Sequence, residues 1–169
     1  HRRRHRAWGA DVTQALATEV LARARTAGLM IATAESCTGG LVAGALTEIP
    51  GSSDVVDRGF VTYSNAAKRE MLGVAASTLE AHGAVSVEVA REMARGALAH
   101  SAAGLAVSIT GIAGPGGSDH KPEGRVCFAI ARKDGPCEAE TVDFGPLGRR
   151  AVRAASVMHA LRLLHGALG

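Results

Sequence analysis

The stretch that decides the fold is LMIATAESCTGGLVAGALT, residues 29–47. It opens with an apolar run at 29–34 that predicts a buried β-strand. A polar loop that ends in two glycines, ESCTGG at 35–40, follows, and the residues after it predict a helix through Thr47. A strand, a tight loop and a helix in this order are typical of α/β folds, in which ligands bind where strands end and helices begin.

The rest of the chain continues the alternation of strands and helices. Further helices are predicted at 10–27, 65–72, 77–81, 86–101 and 148–165, and further strands at 59–64, 105–110, 125–132 and 138–144. Asn65 is the expected cap of the helix that it opens. We therefore expect a three-layer α/β/α fold with a mixed, mostly parallel sheet of about five strands. Residues 10–169 are expected to form this single domain, preceded by a flexible basic arm at 1–9.

Length and composition agree with one globular domain. The chain has 169 residues, of which 47% are hydrophobic and 21% charged, so it has enough apolar material for a core. The arm contains four arginines, Arg2, Arg3, Arg4 and Arg6. Their four positive charges exceed the formal net charge of +3, so the body of the chain carries no net basic charge. Only five aromatic residues are present, too few for a base-stacking surface. Both observations argue against a nucleic-acid partner.

Cysteine content and hydropathy bear on the compartment and on cofactors. Three cysteines without CxxC spacing predict neither a disulfide framework nor a zinc site, and a reducing cytoplasm suits them. No apolar run is long enough for a membrane span, so no membrane partner is expected. No HExxH or paired-histidine ligand set occurs, and we expect neither a metal nor a cofactor.

Two glycine-bearing loops are the candidate site. The first holds Ser36 at a strand-to-helix turn, where the backbone N–H groups of Cys37, Thr38, Gly39 and Gly40 suit an oxyanion or a phosphate. The second follows the strand at 105–110 and includes Gly111 and Gly114. It is not a P-loop, because GxxxxGK[ST] would need a lysine where Gly117 stands. We expect one site to use both loops.

A serine nucleophile needs a base, and the sequence offers a lysine rather than a histidine. The seven histidines fall in the arm, in predicted helices or in a loop. Lys68 is one of only three lysines and follows Tyr63, the single tyrosine, by five residues. A lysine that is desolvated where a strand meets a helix can accept a proton, which an arginine cannot.

Each of these residues also has a structural interpretation. Ser36 is typical of a helix cap, and Lys68 is typical of a solvated helix face. Glu35 is interpreted as a carboxylate near a helix start, where the helix dipole favours a negative charge. Cys37, at a helix start, is an alternative nucleophile or a small buried side chain.

Several motifs, in order, resemble the C-terminal domain of the competence-damage-inducible protein CinA. They are TAESCTGGL at 33–41, PGSS at 50–53, VTYSN at 61–65 with Lys68, GAVS at 83–86 and TGIAGP at 110–115. The resemblance covers residues 10–165 and implies nicotinamide-nucleotide amidase activity, which converts nicotinamide mononucleotide to nicotinate mononucleotide and ammonia.

Carried over by motif, the resemblance implies a role for each site residue. Ser36 is the nucleophile, Lys68 the base, Tyr63 a proton relay or positioning group, and Thr110 a polar partner near the reacting centre. The substrate phosphate is assigned to one or more of Arg149, Arg150 and Arg153. A noncatalytic module that binds a phosphorylated nucleotide is the alternative function, and a homo-oligomer is compatible with the sequence.

Overall fold

The computed structural model of the chain describes residues 2–118 and 120–169, with side chains from Val12 onward. The basic arm expected at 1–9 falls outside the residues whose side chains are described. The elements are α1 Arg2–Ala27, β1 Ile31–Glu35, α2 Leu41–Thr47, a 3-10 turn Ser52–Asp54, β2 Val56–Val61, α3 Asn65–Leu72, α4 Ala76–His82, α5 Val87–Ala99, β3 Leu105–Gly111, β4 Arg125–Arg132, β5 Cys137–Asp143 and α6 Arg149–Leu168.

The five strands form one mixed sheet in the order β2-β1-β3-β4-β5. β1 pairs in parallel with both β2 and β3, whereas β4 is antiparallel to β3 and to β5. Four of the five strands therefore point the same way, with β4 reversed, which confirms the predicted mixed and mostly parallel sheet.

Helices cover both faces of the sheet, as the three-layer prediction requires. α1, α2 and α6 pack on the face that carries large apolar residues such as Ile31 and Phe128. α5 packs on the opposite face, with α3 and α4 against it, where β-strand positions are small, as at Ala34 and Ala129. Small residues let a helix approach the sheet closely, and Ser108 Oγ donates to the α5 carbonyl of Ala90 at 2.6 Å.

The observed elements correct two local predictions. β2 lies at Val56–Val61 rather than at 59–64, because parallel pairing with β1 extends back to Val56, opposite Ile31. The cap of α3 is Ser64 rather than Asn65, since Ser64 Oγ accepts the N–H of Ala67 at 3.0 Å.

The topology places a crevice at the carboxyl ends of the three neighbouring parallel strands β2, β1 and β3. The chain leaves β1 through α2 on one face and returns from β2 to β3 through α3, α4 and α5 on the other. Loops that leave neighbouring parallel strands toward opposite faces open a space for a ligand. No helix within the described part of the chain combines the length and apolarity needed to cross a membrane.

Candidate active site

Ser36 and Lys68 meet at the carboxyl end of β1. Ser36 directly follows this strand, and its N–H donates to Ile109 O of the neighbouring β3 at 2.9 Å. Lys68 lies in the first half of α3, and its Nζ is 3.1 Å from Ser36 Oγ. The hydroxyl and the amine are therefore close enough for direct proton transfer.

Lys68 is almost completely buried, with 2% of the residue exposed. Its Nζ donates to two oxygens, Ser36 Oγ and, at 3.0 Å, Thr62 O. Burial lowers the pKa of Lys68 below its ordinary value, while interaction with the nearby Cys37 acts in the opposite direction. An amine that loses its proton more readily than a free lysine is suited to act as a general base.

The backbone of Thr62 links the end of β1 to Lys68, a connection that no sequence motif indicated. Thr62 N–H donates to Glu35 O at 2.8 Å, and Thr62 O accepts from Lys68 Nζ. One residue thus fixes both the end of β1 and the lysine amine. No residue type marks such a role in a sequence, because every residue has a backbone carbonyl.

Cys37 is not set up as a nucleophile. The side chain is buried, with 5% of the residue exposed, and burial raises the pKa of its thiol to about 11. A thiol of that pKa is protonated at neutral pH, and the thiolate is the reactive form. The backbone of Cys37 instead anchors α6, since its carbonyl accepts from Arg153 Nε at 3.1 Å.

The remaining residues of the first loop shape its backbone. Gly39 and Gly40 have φ values of 56° and 102°, in the region that favours glycine. Gly39 N–H donates to Ser36 O at 3.0 Å, so this donor serves the turn itself. The hydroxyl of Thr38 donates to the carboxylate of Glu35 at 2.6 Å.

Tyr63 and Arg149 form a bridge across the cleft. Tyr63 is 58% exposed, and its hydroxyl accepts from Arg149 Nη2 at 2.5 Å. The other end of the guanidinium, Nη1, donates to Gly114 O at 2.9 Å. Arg149 at the start of α6 therefore ties the segment after β2 to the second glycine loop.

The second loop forms the far wall of a cleft of about 400 Å³. Thr110 is buried, and its hydroxyl donates to Ala84 O at 2.8 Å. Within the loop, Gly116 N–H donates to the carboxylate of Glu123 at 2.6 Å. The cleft is lined by Ser36, Cys37, Tyr63, Asn65, Lys68, Ala84, Val85, Thr110, Gly111, Ile112, Ala113, Gly114, Pro115, Gly116, Gly117, Ser118 and Arg149.

The structure thus brings the second glycine loop together with the serine, the lysine and the tyrosine that the sequence singled out. Of the first loop, Ser36 and Cys37 line the cleft, whereas Thr38, Gly39 and Gly40 do not. Of the three arginines, Arg149 lines the cleft, Arg153 is engaged with Cys37 O, and Arg150 is exposed on the first turn of α6. Asn65, the predicted cap of α3, lines the cleft as well. Among the residues described, His, Cys, Asp and Glu side chains form no group of three or more that could hold a metal ion.

Comparison with known proteins shows which family this chain resembles. The family model for the CinA C-terminal domain matches residues 13–168. The chain is 51% identical over 148 residues to the nicotinamide-nucleotide amidohydrolase PncC of Enterobacter agglomerans, covering 87% of this chain and 90% of that protein. It is 56% identical over 126 residues to a CinA-like protein of Chlorobium phaeobacteroides, of which it spans only 30%.

Solved structures show the same architecture. The competence/damage inducible protein CihA from Agrobacterium tumefaciens is 53% identical and superposes with a TM-score of 0.88 over 92% of this chain and 94% of that one. The competence damage-inducible protein A from Klebsiella pneumoniae is 39% identical, with the same TM-score over 92% and 96% of the two chains.

Proposed function

This chain belongs to the CinA C-terminal domain family, and on that premise we propose that it hydrolyses the carboxamide of nicotinamide mononucleotide to give nicotinate mononucleotide and ammonia. The relative from Enterobacter agglomerans, which carries the name nicotinamide-nucleotide amidohydrolase, supports this substrate. The observation that carries the mechanism is the 3.1 Å contact between Ser36 Oγ and the amine of the buried Lys68.

In the first half of the reaction, Ser36 Oγ attacks the carboxamide carbon while its proton passes to the neutral amine of Lys68. The backbone N–H of Cys37, which follows the nucleophile and lies at the cleft, is the candidate donor to the oxygen of the tetrahedral intermediate. When the carbon–nitrogen bond breaks, the Lys68 ammonium returns the proton to the leaving nitrogen. Ammonia leaves, and the nicotinoyl group remains as an ester on Ser36.

In the second half, water hydrolyses this ester. Lys68 takes a proton from the attacking water and returns it to Ser36 Oγ as the ester bond breaks. The products are nicotinate mononucleotide and the free serine. The reaction consumes one water and one amide and needs no redox or metal partner for its atoms to balance.

Other cleft residues are assigned to substrate binding. Arg149 is the first choice for the phosphate, because it is the member of the three candidate arginines that lines the cleft. Its bond to the Tyr63 hydroxyl makes Tyr63 a positioning group and leaves the phenol available as a proton relay once Arg149 turns to the phosphate. Thr110 Oγ1, held by Ala84 O, can accept a hydrogen bond from the substrate amide.

The proposal also includes the compartment and the partners of the enzyme. Three free cysteines suit a reducing cytoplasm. The small-molecule substrate is the partner that the reaction requires. A homo-oligomer of this chain is compatible with the proposed function.

The deciding experiment measures ammonia release from nicotinamide mononucleotide by the purified chain, together with binding of the nucleotide by calorimetry. We expect steady release by the unsubstituted chain and binding without release by Ser36→Ala. Binding without release by the unsubstituted chain would instead indicate the noncatalytic module.

Nicotinamide riboside tests the phosphate site in the same assay. A lost charge-assisted hydrogen bond costs about 1.5–3 kcal/mol, so kcat/KM for the riboside should fall by about tenfold to 100-fold. Equal values for riboside and mononucleotide would show that no arginine contributes to phosphate binding.

A further inference from the structure

We infer that Glu35 is the positioning residue that keeps Ser36 opposite Lys68, an inference that rests on the proposed function. Glu35 is the last residue of β1 and is completely buried, at 0% exposure. Within the described part of the chain, Glu35 does not line the cleft and its carboxylate makes no hydrogen bond to Lys68, so it acts through the loop that it holds.

The carboxylate of Glu35 accepts four hydrogen bonds. Oε1 accepts from Thr38 Oγ1 at 2.6 Å and from Val42 N at 2.9 Å. Oε2 accepts from Ala43 N at 3.0 Å and from Thr33 Oγ1 at 3.2 Å. A buried carboxylate is costly unless it is well paired, and here the donors come from β1, from the loop and from α2.

The Glu35 carboxylate replaces the side-chain cap that α2 lacks. Gly40 occupies the cap position of α2 and has no side chain to accept the first free N–H groups of the helix. Glu35 accepts from the second and third helical residues instead, and its negative charge suits the start of a helix. The sequence alone suggested a favourable charge near a helix; the structure shows a cross-link between two elements.

The cross-link encloses the nucleophile. Ser36 lies between Glu35, whose side chain reaches forward to α2, and Thr38, whose hydroxyl reaches back to that carboxylate. The segment that follows includes Gly39 and Gly40, whose backbones are the least restricted by a side chain. Without the carboxylate, the loop loses its side-chain anchor at both ends, and a shift of about 1 Å at a reacting atom can cost about 100-fold in rate.

Glu35→Gln tests the inference, because it keeps the shape of the side chain but replaces one acceptor oxygen with a donor NH₂ group. That group faces N–H or O–H donors and cannot accept from them. The matched control is Glu48→Gln, which removes an exposed carboxylate at the other end of α2. The readouts are kcat and KM for ammonia release, and the rate at which a fluorophosphonate reagent labels Ser36, followed by mass spectrometry.

We expect Glu35→Gln to lower kcat and the labelling rate by about tenfold or more, with KM within about twofold, under conditions where circular dichroism shows it folded. Glu48→Gln should match the unsubstituted chain. A merely structural role would lower the melting temperature without changing either rate per folded molecule.

Thr38→Val provides the test if Glu35→Gln does not fold. It removes the shortest donor to Glu35 while keeping the carboxylate, and Thr38→Ser restores the hydroxyl. We expect a fall of about fivefold in labelling rate for the valine and near-normal labelling for the serine. Normal rates in a folded Glu35→Gln, or in Thr38→Val where Glu35→Gln does not fold, would overturn the inference, as would no labelling of Ser36 in the unsubstituted chain. Labelling of the unsubstituted chain without ammonia release would contradict the proposed function alone.

Discussion

At the scale of single residues, burial decides which side chains of the cleft can react. Burial shifts the pKa values of Lys68 and Cys37 in opposite directions, because low-dielectric surroundings favour the neutral form of each side chain. The pKa of the lysine is lowered, which makes it a better base, and the pKa of the thiol is raised to about 11, which makes it a poorer nucleophile. The hydroxyl of Ser36 lies within hydrogen-bond distance of the Lys68 amine.

The nucleophile is tested by paired substitutions in the first loop. Ser36→Ala should abolish ammonia release, with a loss of at least about 1,000-fold, and leave the melting temperature within a few degrees, because it removes one hydroxyl from a loop. Cys37→Ser should stay active. The opposite result, an inactive Cys37→Ser and an active Ser36→Ala, would identify the thiol as the nucleophile.

The base is tested through pH. Because burial lowers the pKa of Lys68, kcat should rise with pH as the neutral amine becomes populated, and should level off above that pKa. Lys68→Arg should be nearly as inactive as Lys68→Ala, since arginine keeps the charge but cannot accept the proton. Rates are measured across pH 6–10. A Lys68→Arg enzyme with most of its activity would show that only a fixed positive charge is needed.

At the scale of elements, close packing of α5 against α3 sets the position of Lys68. Gly96 of α5 faces the end of α3, and a Cβ placed on it would lie 2.0 Å from Leu72 O. That distance is far inside van der Waals contact with a backbone atom, so a side chain there would push the two helices apart. Since Lys68 lies one turn before Leu72, the displacement would reach the amine.

Gly96→Ala should therefore lower both stability and rate. Overpacking of this kind costs about 1–3 kcal/mol, and we expect a loss of about 2 kcal/mol in urea unfolding together with a lower kcat. Gly166→Ala in α6 is the control, because nothing lies within 4 Å of a Cβ at that position. The control should keep or slightly raise stability, as alanine is the better helix former. Equal stability of the two variants would contradict the packing argument.

At the scale of the whole molecule, the buried lysine links stability to pH. Folding lowers the pKa of Lys68 from the ordinary value of 10.5, so between the folded and unfolded pKa values the unfolded chain binds more protons. The free energy of unfolding should therefore gain a positive slope with pH from this residue in that window, which ends near 10.5.

Lys68→Met isolates this contribution. It removes the ionisable group while keeping a long side chain, so the variant should melt a few degrees higher than the unsubstituted chain at pH 7. The difference should shrink as pH approaches 10. Lys133→Met, at an exposed lysine, is the control and should show no such trend. If the free energy of unfolding has the same pH dependence in Lys68→Met and in the unsubstituted chain, burial does not destabilise the charged form of Lys68.

The local order of the fold could be predicted from the sequence. Apolar periodicity and glycine placement depend on neighbours along the chain, so the strand at β1, the helices α2 and α3, and the loops after β1 and β3 were predictable. The position of a ligand site at those loops follows from topology alone. The motifs around Ser36, Tyr63 and Lys68 carried the family and the candidate roles.

Contacts across the fold were decided only by the tertiary structure. Ser36 and Lys68 are 32 positions apart, and their distance depends on how α3 and α5 pack on the sheet. Thr62 acts through its backbone, and Glu35 acts through donors on β1, the following loop and α2; neither role leaves a pattern in the sequence. The sequence by itself determined which groups are present and in what order; packing determined which are desolvated, because burial depends on residues distant along the chain.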